Sequence, residues 1–125
     1  MLNKIKKGLT LLELMVSIVL FLVVISGLLS TFVACMLLTR ANSRLVIAAG
    51  DAQYLLEEVK ALAYSDISAG YLSTNYPPAY FNNLDSESIS FAINAVGGLK
   101  EVIVTVDWDE QGTNREFRLH TRIAP

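Results

Sequence analysis

The longest uncharged run in the chain constrains its fold more than any other feature. From Leu14 to Leu38 there are 25 consecutive residues without a charged side chain. A helix rises about 1.5 Å per residue, so this run would span roughly 37 Å, which is enough to cross a bilayer. Three lysines precede the run, and one carboxylate, Glu13, stands at its edge. A carboxylate in that position is costly in lipid and therefore points to a function.

Three ordinary N-terminal segments fit the run incompletely. A secretory signal has an apolar core of about 7–15 residues and a small-residue cleavage site, whereas this core is longer and no such site follows it. A lipoprotein signal ending before Cys35, the only cysteine, would leave apolar residues 36–38 at the mature N-terminus. A plain signal anchor fits the length and the basic flank. It explains neither Glu13 nor the glycine, Gly8, that precedes the apolar segment.

The segment Gly8–Glu13, with the sequence GLTLLE, resembles the class III leader of type IV pilins and pseudopilins. The resemblance implies that a prepilin peptidase cuts after Gly8 and that the new N-terminal residue, Leu9, is methylated. Leu9 replaces the phenylalanine that is usual in the family. Glu13 becomes the fifth mature residue, and in the family this glutamate pairs with the N-terminal amine of a neighbouring subunit. The apolar segment is retained.

Elementary electrostatics agrees with the role that the resemblance gives to Glu13. A carboxylate inside a packed helix bundle needs a cation, and cleavage would create one at the amine of Leu9. Two unit charges 4 Å apart attract by about 4 kcal/mol at an effective dielectric of 20. The alternative is a local role, because Thr10 and Glu13 have the spacing of a helix capping box.

The helical pattern continues beyond the uncharged run. After Arg40, apolar residues recur at three- and four-residue steps, which predicts an amphipathic helix with one buried stripe. The predicted stripe comprises Leu45, Ala48, Ala49, Ala52, Leu55, Leu56, Val59 and Leu62. We expect one helix from Leu9 to about Ala63. A weak point or a close packing contact is expected at Gly27, because glycine costs about 1 kcal/mol in a helix interior.

The rest of the chain predicts a connection followed by a sheet. The segment 64–88 is rich in turn-forming residues and contains Pro77-Pro78, which predicts an irregular connection. We expect its aromatic residues to cover the sheet rather than to form a contact patch; they are Tyr71, Tyr76, Tyr80 and Phe81. Three alternating stretches within 89–124 predict antiparallel strands. Turns are expected at Gly97-Gly98 and at Asp109–Asn114.

The predicted fold class is α+β, with a long N-terminal helix packed on a small three-stranded antiparallel sheet. This is the pilin architecture, so the resemblance extends over the whole chain. The C-terminal hairpin is also similar to that of minor pilins of the PilV kind and of the I-type pseudopilin of type II secretion. The implied organisation is a leader, 1–8, a transmembrane or filament-core helix, 9–39, and an exported head, 40–125. Within the head we expect an amphipathic helix at 40–63, the loop at 64–88 and the sheet at 89–124.

Composition excludes several functions. Residues 41–125 carry six basic and eleven acidic side chains, a net charge of −5, so direct binding of nucleic acid is not expected. The chain has one histidine, His120, and no phosphate-binding loop, so we predict no enzyme, no cofactor and no metal site. Asp107, Asp109 and Glu110 surround the second turn, but their spacing does not match a calcium loop.

The sequence therefore predicts a non-catalytic structural subunit of a type IV filament, either a minor pilin or a pseudopilin. The resemblance implies four kinds of partner: a prepilin peptidase, other pilins, an inner-membrane assembly platform and membrane lipid. The basic N-terminus is expected in the cytoplasm, with a single pass through the inner membrane and the head outside. The alternative is a single-pass anchored protein whose extracytoplasmic domain has a binding or regulatory role.

Overall fold

The computed structural model describes residues 10–125, so the predicted processing residues, Gly8 and Leu9, lie outside the described part. The elements are α1 (Leu11–Ala61), α2 (Ala69–Asn75), β1 (Ser88–Val96), β2 (Leu99–Glu110) and β3 (Thr113–Ile123). The chain divides into two compact units, of which the first ends at Thr39 and the second comprises Arg40–Pro125. The predicted α+β class is confirmed, with the long helix packed on a three-stranded antiparallel sheet.

Helix α1 has the extent that the sequence predicts, to within two residues at each end. Helical structure continues through Gly27, where an added Cβ would meet no atom within 4 Å. The helix ends at Ala61, and Leu62 N–H donates to the carbonyl oxygen of Val59 in a last, tighter turn.

The sheet is a meander in the order β1-β2-β3. Its first hairpin turns at Gly97 and Gly98, which have φ values of 60° and 82° and so form the expected two-residue turn. The second turn is shorter than predicted. Glu110 pairs with Thr113, and only Gln111 and Gly112 form the turn, with φ values of 55° and 78°. The prediction of a six-residue turn, Asp109–Asn114, is wrong because Gln111 adopts a left-handed conformation that its residue type rarely takes.

One core joins α1, α2 and the sheet within the second unit. Its buried side chains are Ala48, Ala52, Leu55, Leu56, Val59, Ile67, Leu72, Leu84, Ile89, Val102, Val104, Val106 and Trp108. The alternation predicted for the strands is confirmed in β2 and β3. Alternate residues of β2 are buried, namely Val102, Val104, Val106 and Trp108. Phe117, Leu119 and Ile123 of β3 pack against the core. The helix stripe is confirmed from Ala48 onward, whereas Leu45 is 47% exposed. Ala95 of β1 is also exposed, contrary to the alternation.

The connection between α1 and β1 is more ordered than predicted, because it contains α2. The Ser68 hydroxyl caps this helix by accepting a hydrogen bond from Tyr71 N–H at 3.2 Å, and Leu72 anchors it in the core. Tyr76 and Phe81 pack against the core as expected. Tyr71 and Tyr80 do not, because they are 41% and 42% exposed.

Candidate functional site

The start of α1 contains the one predicted site residue that the structure describes. Thr10 precedes the helix, and its hydroxyl accepts a hydrogen bond from Glu13 N–H at 3.3 Å. Its carbonyl oxygen accepts the first helical hydrogen bond, from Leu14 N–H at 3.1 Å. Thr10 is therefore the N-cap, which is one half of the capping box that the sequence predicts.

Glu13 lies in the first turn of α1 and is exposed. A carboxylate there is stabilised by the positive end of the helix dipole, which is a local role. The Thr10 hydroxyl accepts the hydrogen bond of the Glu13 N–H group, so this N-terminal donor is satisfied by Thr10. This bond does not involve the Glu13 side chain. The carboxylate thus stands at the edge of the apolar helix, where an external cation has access to it.

The apolar half of α1 satisfies its own polar groups, a feature that the sequence analysis missed. Every hydroxyl between Leu14 and Thr39 donates to a carbonyl oxygen of the preceding turn, at 2.8–3.0 Å. These residues are Ser17, Ser26, Ser30, Thr31 and Thr39. Hydrocarbon offers no hydrogen-bond partners, so a membrane-spanning helix needs such internal bonds. Within residues 10–125, one helix, Leu11–Ala61, is long and apolar enough to cross a membrane.

The acidic residues around the second hairpin turn are engaged in structural contacts. Asp109 Oδ1 accepts a hydrogen bond from Gly112 N–H at 2.6 Å and so closes the turn. Glu110 forms an ion pair with Arg115 at 3.2 Å. Across residues 10–125 there is no group of three or more histidine, cysteine or acidic side chains that could hold a metal ion.

A second carboxylate cluster, absent from the sequence predictions, joins α1 to the segment before β1. Glu87 is 8% exposed, and its Oε2 accepts hydrogen bonds from Asn83 N–H at 2.9 Å and Leu84 N–H at 3.1 Å. The Asn83 amide donates to both carboxylate oxygens of Asp51, at 3.1 and 3.2 Å. Burial raises the pKa of Glu87, Asp51 raises it further, and the two backbone hydrogen bonds oppose them. Sequence alone gives no signal for this cluster, because it depends on tertiary contacts.

Comparison with known proteins places a motif over the leader and the first part of α1. The family model for the prokaryotic N-terminal methylation motif matches residues 3–29, which include the cleavage site predicted after Gly8 as well as Glu13. No curated protein and no solved structure matches the chain significantly. The motif is a class III prepilin leader, and the head adds an antiparallel sheet packed on the long helix. Both features support a type IV pilin-like protein.

Proposed function

We propose that this protein is a non-catalytic structural subunit of a type IV filament, a minor pilin or a pseudopilin. The methylation motif at residues 3–29 carries the proposal, because it is the substrate signal for cleavage and N-methylation rather than part of a catalytic site. In this proposal a prepilin peptidase removes residues 1–8 and the amine of Leu9 is methylated.

The geometry of α1 supports an assembly role for its first half. All residues from Leu11 to Thr39 except Ile25 are exposed, and most of them are apolar. Fully burying one large aliphatic side chain is worth about 1.5–3 kcal/mol, so this surface requires lipid or other helices around it. We propose that it lies first in the inner membrane, with the lysines inside and the head outside, and then in the filament core with other pilins.

Glu13 is the proposed assembly residue. Its exposed carboxylate, in the first turn of α1, would pair with the Leu9 amine of a neighbouring subunit and so set the axial register. The assembly platform in the inner membrane would deliver the subunit, and a cytoplasmic motor ATPase would act through that platform.

The first test is N-terminal and intact mass spectrometry of the protein from its native membranes. We expect a chain that begins at methylated Leu9. A chain that keeps residues 1–8 in cells with an active prepilin peptidase would overturn the proposal and favour a simple anchored domain.

Two substitutions separate processing from assembly. Gly8→Ala should abolish cleavage, because the peptidase acts directly after that glycine. Glu13→Ala should permit cleavage but reduce recovery of the protein in sheared filaments. Thr10→Ala is the matched control, because it alters the same helix start without removing the carboxylate. Normal filament recovery with Glu13→Ala would refute the assembly role.

A further inference from the structure

The head carries a group of aromatic side chains in mutual contact on the side of β1. We call four of these aromatic residues, together with the neighbouring Glu58, the tyrosine patch; the aromatic residues are Tyr54, Tyr76, Tyr80 and Phe81. Phe81 makes edge-to-face contacts with Tyr54 and with Tyr80, at centroid distances of 5.9 and 5.0 Å. Tyr76 contacts Tyr80 at 5.3 Å and Phe91 of β1 at 6.1 Å. These contacts hold the rings in place, whereas Tyr54 and Tyr80 remain 46% and 42% exposed.

A single carboxylate lies among these rings. The Tyr76 hydroxyl donates to Glu58 Oε2 at 3.4 Å, and Glu58 is half-buried on α1. The negative charge of Glu58 raises the pKa of Tyr54. Burial raises the pKa of Tyr76, and the Glu58 charge raises it further. The ion pairs formed among residues 10–125 do not include Glu58. A half-buried carboxylate beside exposed aromatic faces attracts a cation, through its charge and through the ring quadrupoles.

The opposite edge of the same sheet presents cations. The sheet order places β1 and β3 at opposite edges. Arg118 and Arg122, which we call the arginine edge, lie four residues apart on β3, and both side chains are 63% exposed. Each pairs with an acid of its own sheet, Arg118 with Glu116 at 2.8 Å and Arg122 with Glu101 at 3.3 Å. Both partners of the Arg118–Glu116 pair are exposed, so this pair is worth about 0–1 kcal/mol and is readily exchanged.

Arginine is the cation that best fits the tyrosine patch. Its planar guanidinium stacks on aromatic faces and also binds a carboxylate through two N–H groups. We propose that the tyrosine patch receives the arginine edge of a second copy of this chain. The inference rests on the proposed function, because it specifies how neighbouring heads in the filament touch.

The positions of the two surfaces determine the kind of assembly. The tyrosine patch contacts β1 through Phe91, and the arginine edge lies on β3, at the other edge of the sheet. A contact between unlike surfaces is heterologous, so after the first contact one head keeps a free arginine edge and the other keeps a free tyrosine patch. Such a contact propagates and does not close into an isologous dimer. The geometry therefore suits a growing filament.

The test is site-specific photocrosslinking of the full chain in its native membranes. Tyr80→p-benzoylphenylalanine places the crosslinker in the tyrosine patch, and the same substitution at exposed Asn94 of β1 is the control position. We expect mass spectrometry to map the Tyr80 product to residues 115–123 of a second copy. A product mapped to another protein or to another part of the chain, or the lack of any product from chains recovered in filaments, would overturn the inference.

Charge reversal adds a test of specificity. Glu58→Arg alone, or Arg118→Glu with Arg122→Glu, should lower the crosslinking yield by about three- to tenfold. Coexpression of the two variant chains should restore the yield, because the reversed surfaces complement each other. Lys60→Glu, an equal charge change per site at another exposed cation, should have no such effect. An unchanged yield in the reversed chains would refute the contact.

Folding and processing are checked separately. Trp108, the single tryptophan, is 3% exposed, so its fluorescence reports whether each variant head is folded. For a head that folds less well with Glu58→Arg, Glu58→Gln removes the charge with almost no change in size. N-terminal mass spectrometry of the same samples distinguishes the two hypotheses. Chains that begin at Leu9 but lack the crosslink would refute this contact and leave the filament function intact.

Discussion

The two halves of α1 differ in how deeply their side chains are buried. Between Leu11 and Thr39 the helix is apolar on all sides and its residues are exposed, apart from half-buried Ile25. In the second half, one stripe contributes five of the buried core residues, Ala48, Ala52, Leu55, Leu56 and Val59. Both halves are helical, so helix propensity does not distinguish them. The difference shows that the period of the apolar residues, rather than their number, decides whether a helix builds a core of its own.

The largest expected effect compares a leucine from each half. Leu55→Ala should destabilise the head by about 2–5 kcal/mol, because Leu55 is 0% exposed and its removal leaves a cavity. Leu20→Ala should leave head stability unchanged, because Leu20 is 61% exposed and belongs to the first unit. Denaturant unfolding of the full chain in detergent, followed by Trp108 fluorescence, measures both. Equal losses for the two variants would show that the halves are not independent.

Lys100 is a charged residue whose ammonium group makes its contacts within the head. Lys100 Nζ donates to the carbonyl oxygens of Tyr64 at 2.7 Å and Ile67 at 2.8 Å, and it lies 4.5 Å from the centre of the Tyr64 ring. It thereby ties the segment after α1 to β2. Lys100→Met keeps the apolar stem but removes the donors, so we expect a loss of about 1–3 kcal/mol.

The control for Lys100 is Lys60→Met, which removes an exposed lysine from the last turn of α1. Surface substitutions of this kind usually change stability by less than about 0.5 kcal/mol. A loss at Lys60 as large as that at Lys100 would mean that net charge, and not the two carbonyl contacts, determines the effect.

Glu87, in the head, is expected to make a pH-dependent contribution to stability. The pKa of Glu87 is raised on folding, so the folded state holds this proton more tightly than the unfolded state does. The resulting contribution is favourable below the unfolded pKa of about 4.5 and is lost as the pH rises through the folded pKa. Its slope cannot exceed about 1.4 kcal/mol per pH unit, the value for one proton.

Glu87→Gln isolates this contribution. The glutamine oxygen still accepts the Asn83 and Leu84 N–H groups, and the amide is able to donate to Asp51. We expect the variant to match the wild type near pH 4 and to be more stable at pH 7. Unfolding by denaturant at several pH values gives the difference. A constant difference between the two proteins from pH 4 to pH 7 would rule out titration of Glu87 in this range.

The sequence predicted the repetitive parts of the fold and missed the parts that depend on contacts. Periods of 3.6 and 2 identified α1 and the three strands, and Gly97-Gly98 identified the first turn. The seven-residue helix α2 gave no such signal, because Gly70, Ser73 and Asn75 are poor helix formers. It is held by the Ser68 cap and by Leu72 in the core. Gln111 was missed because the strand register imposes its positive φ.

The same division applies to the candidate site. A short motif with fixed spacing predicts Gly8, Leu9 and Glu13 as site residues, because a motif of this kind is a local feature of the sequence. The Asp51–Glu87 cluster and the tyrosine patch had no local signature, since each joins α1 to residues 18 or more positions away. Although Tyr76, Tyr80 and Phe81 were noted individually, only the structure places them around Glu58.

The smallest expected effect compares the two helix N-caps, one in each unit. Ser68→Ala removes the 3.2 Å hydrogen bond from Tyr71 N–H and should lower head stability by about 1 kcal/mol. Thr10→Ala removes the equivalent 3.3 Å bond from Glu13 N–H and should leave head stability unchanged, because α1 begins in the first unit. Trp108 fluorescence during denaturant unfolding distinguishes the two. A loss with Thr10→Ala equal to that with Ser68→Ala would mean that fraying at Leu11 reaches the buried stripe. The first half of α1 would then support the head, and the independence inferred from its exposed residues would be wrong.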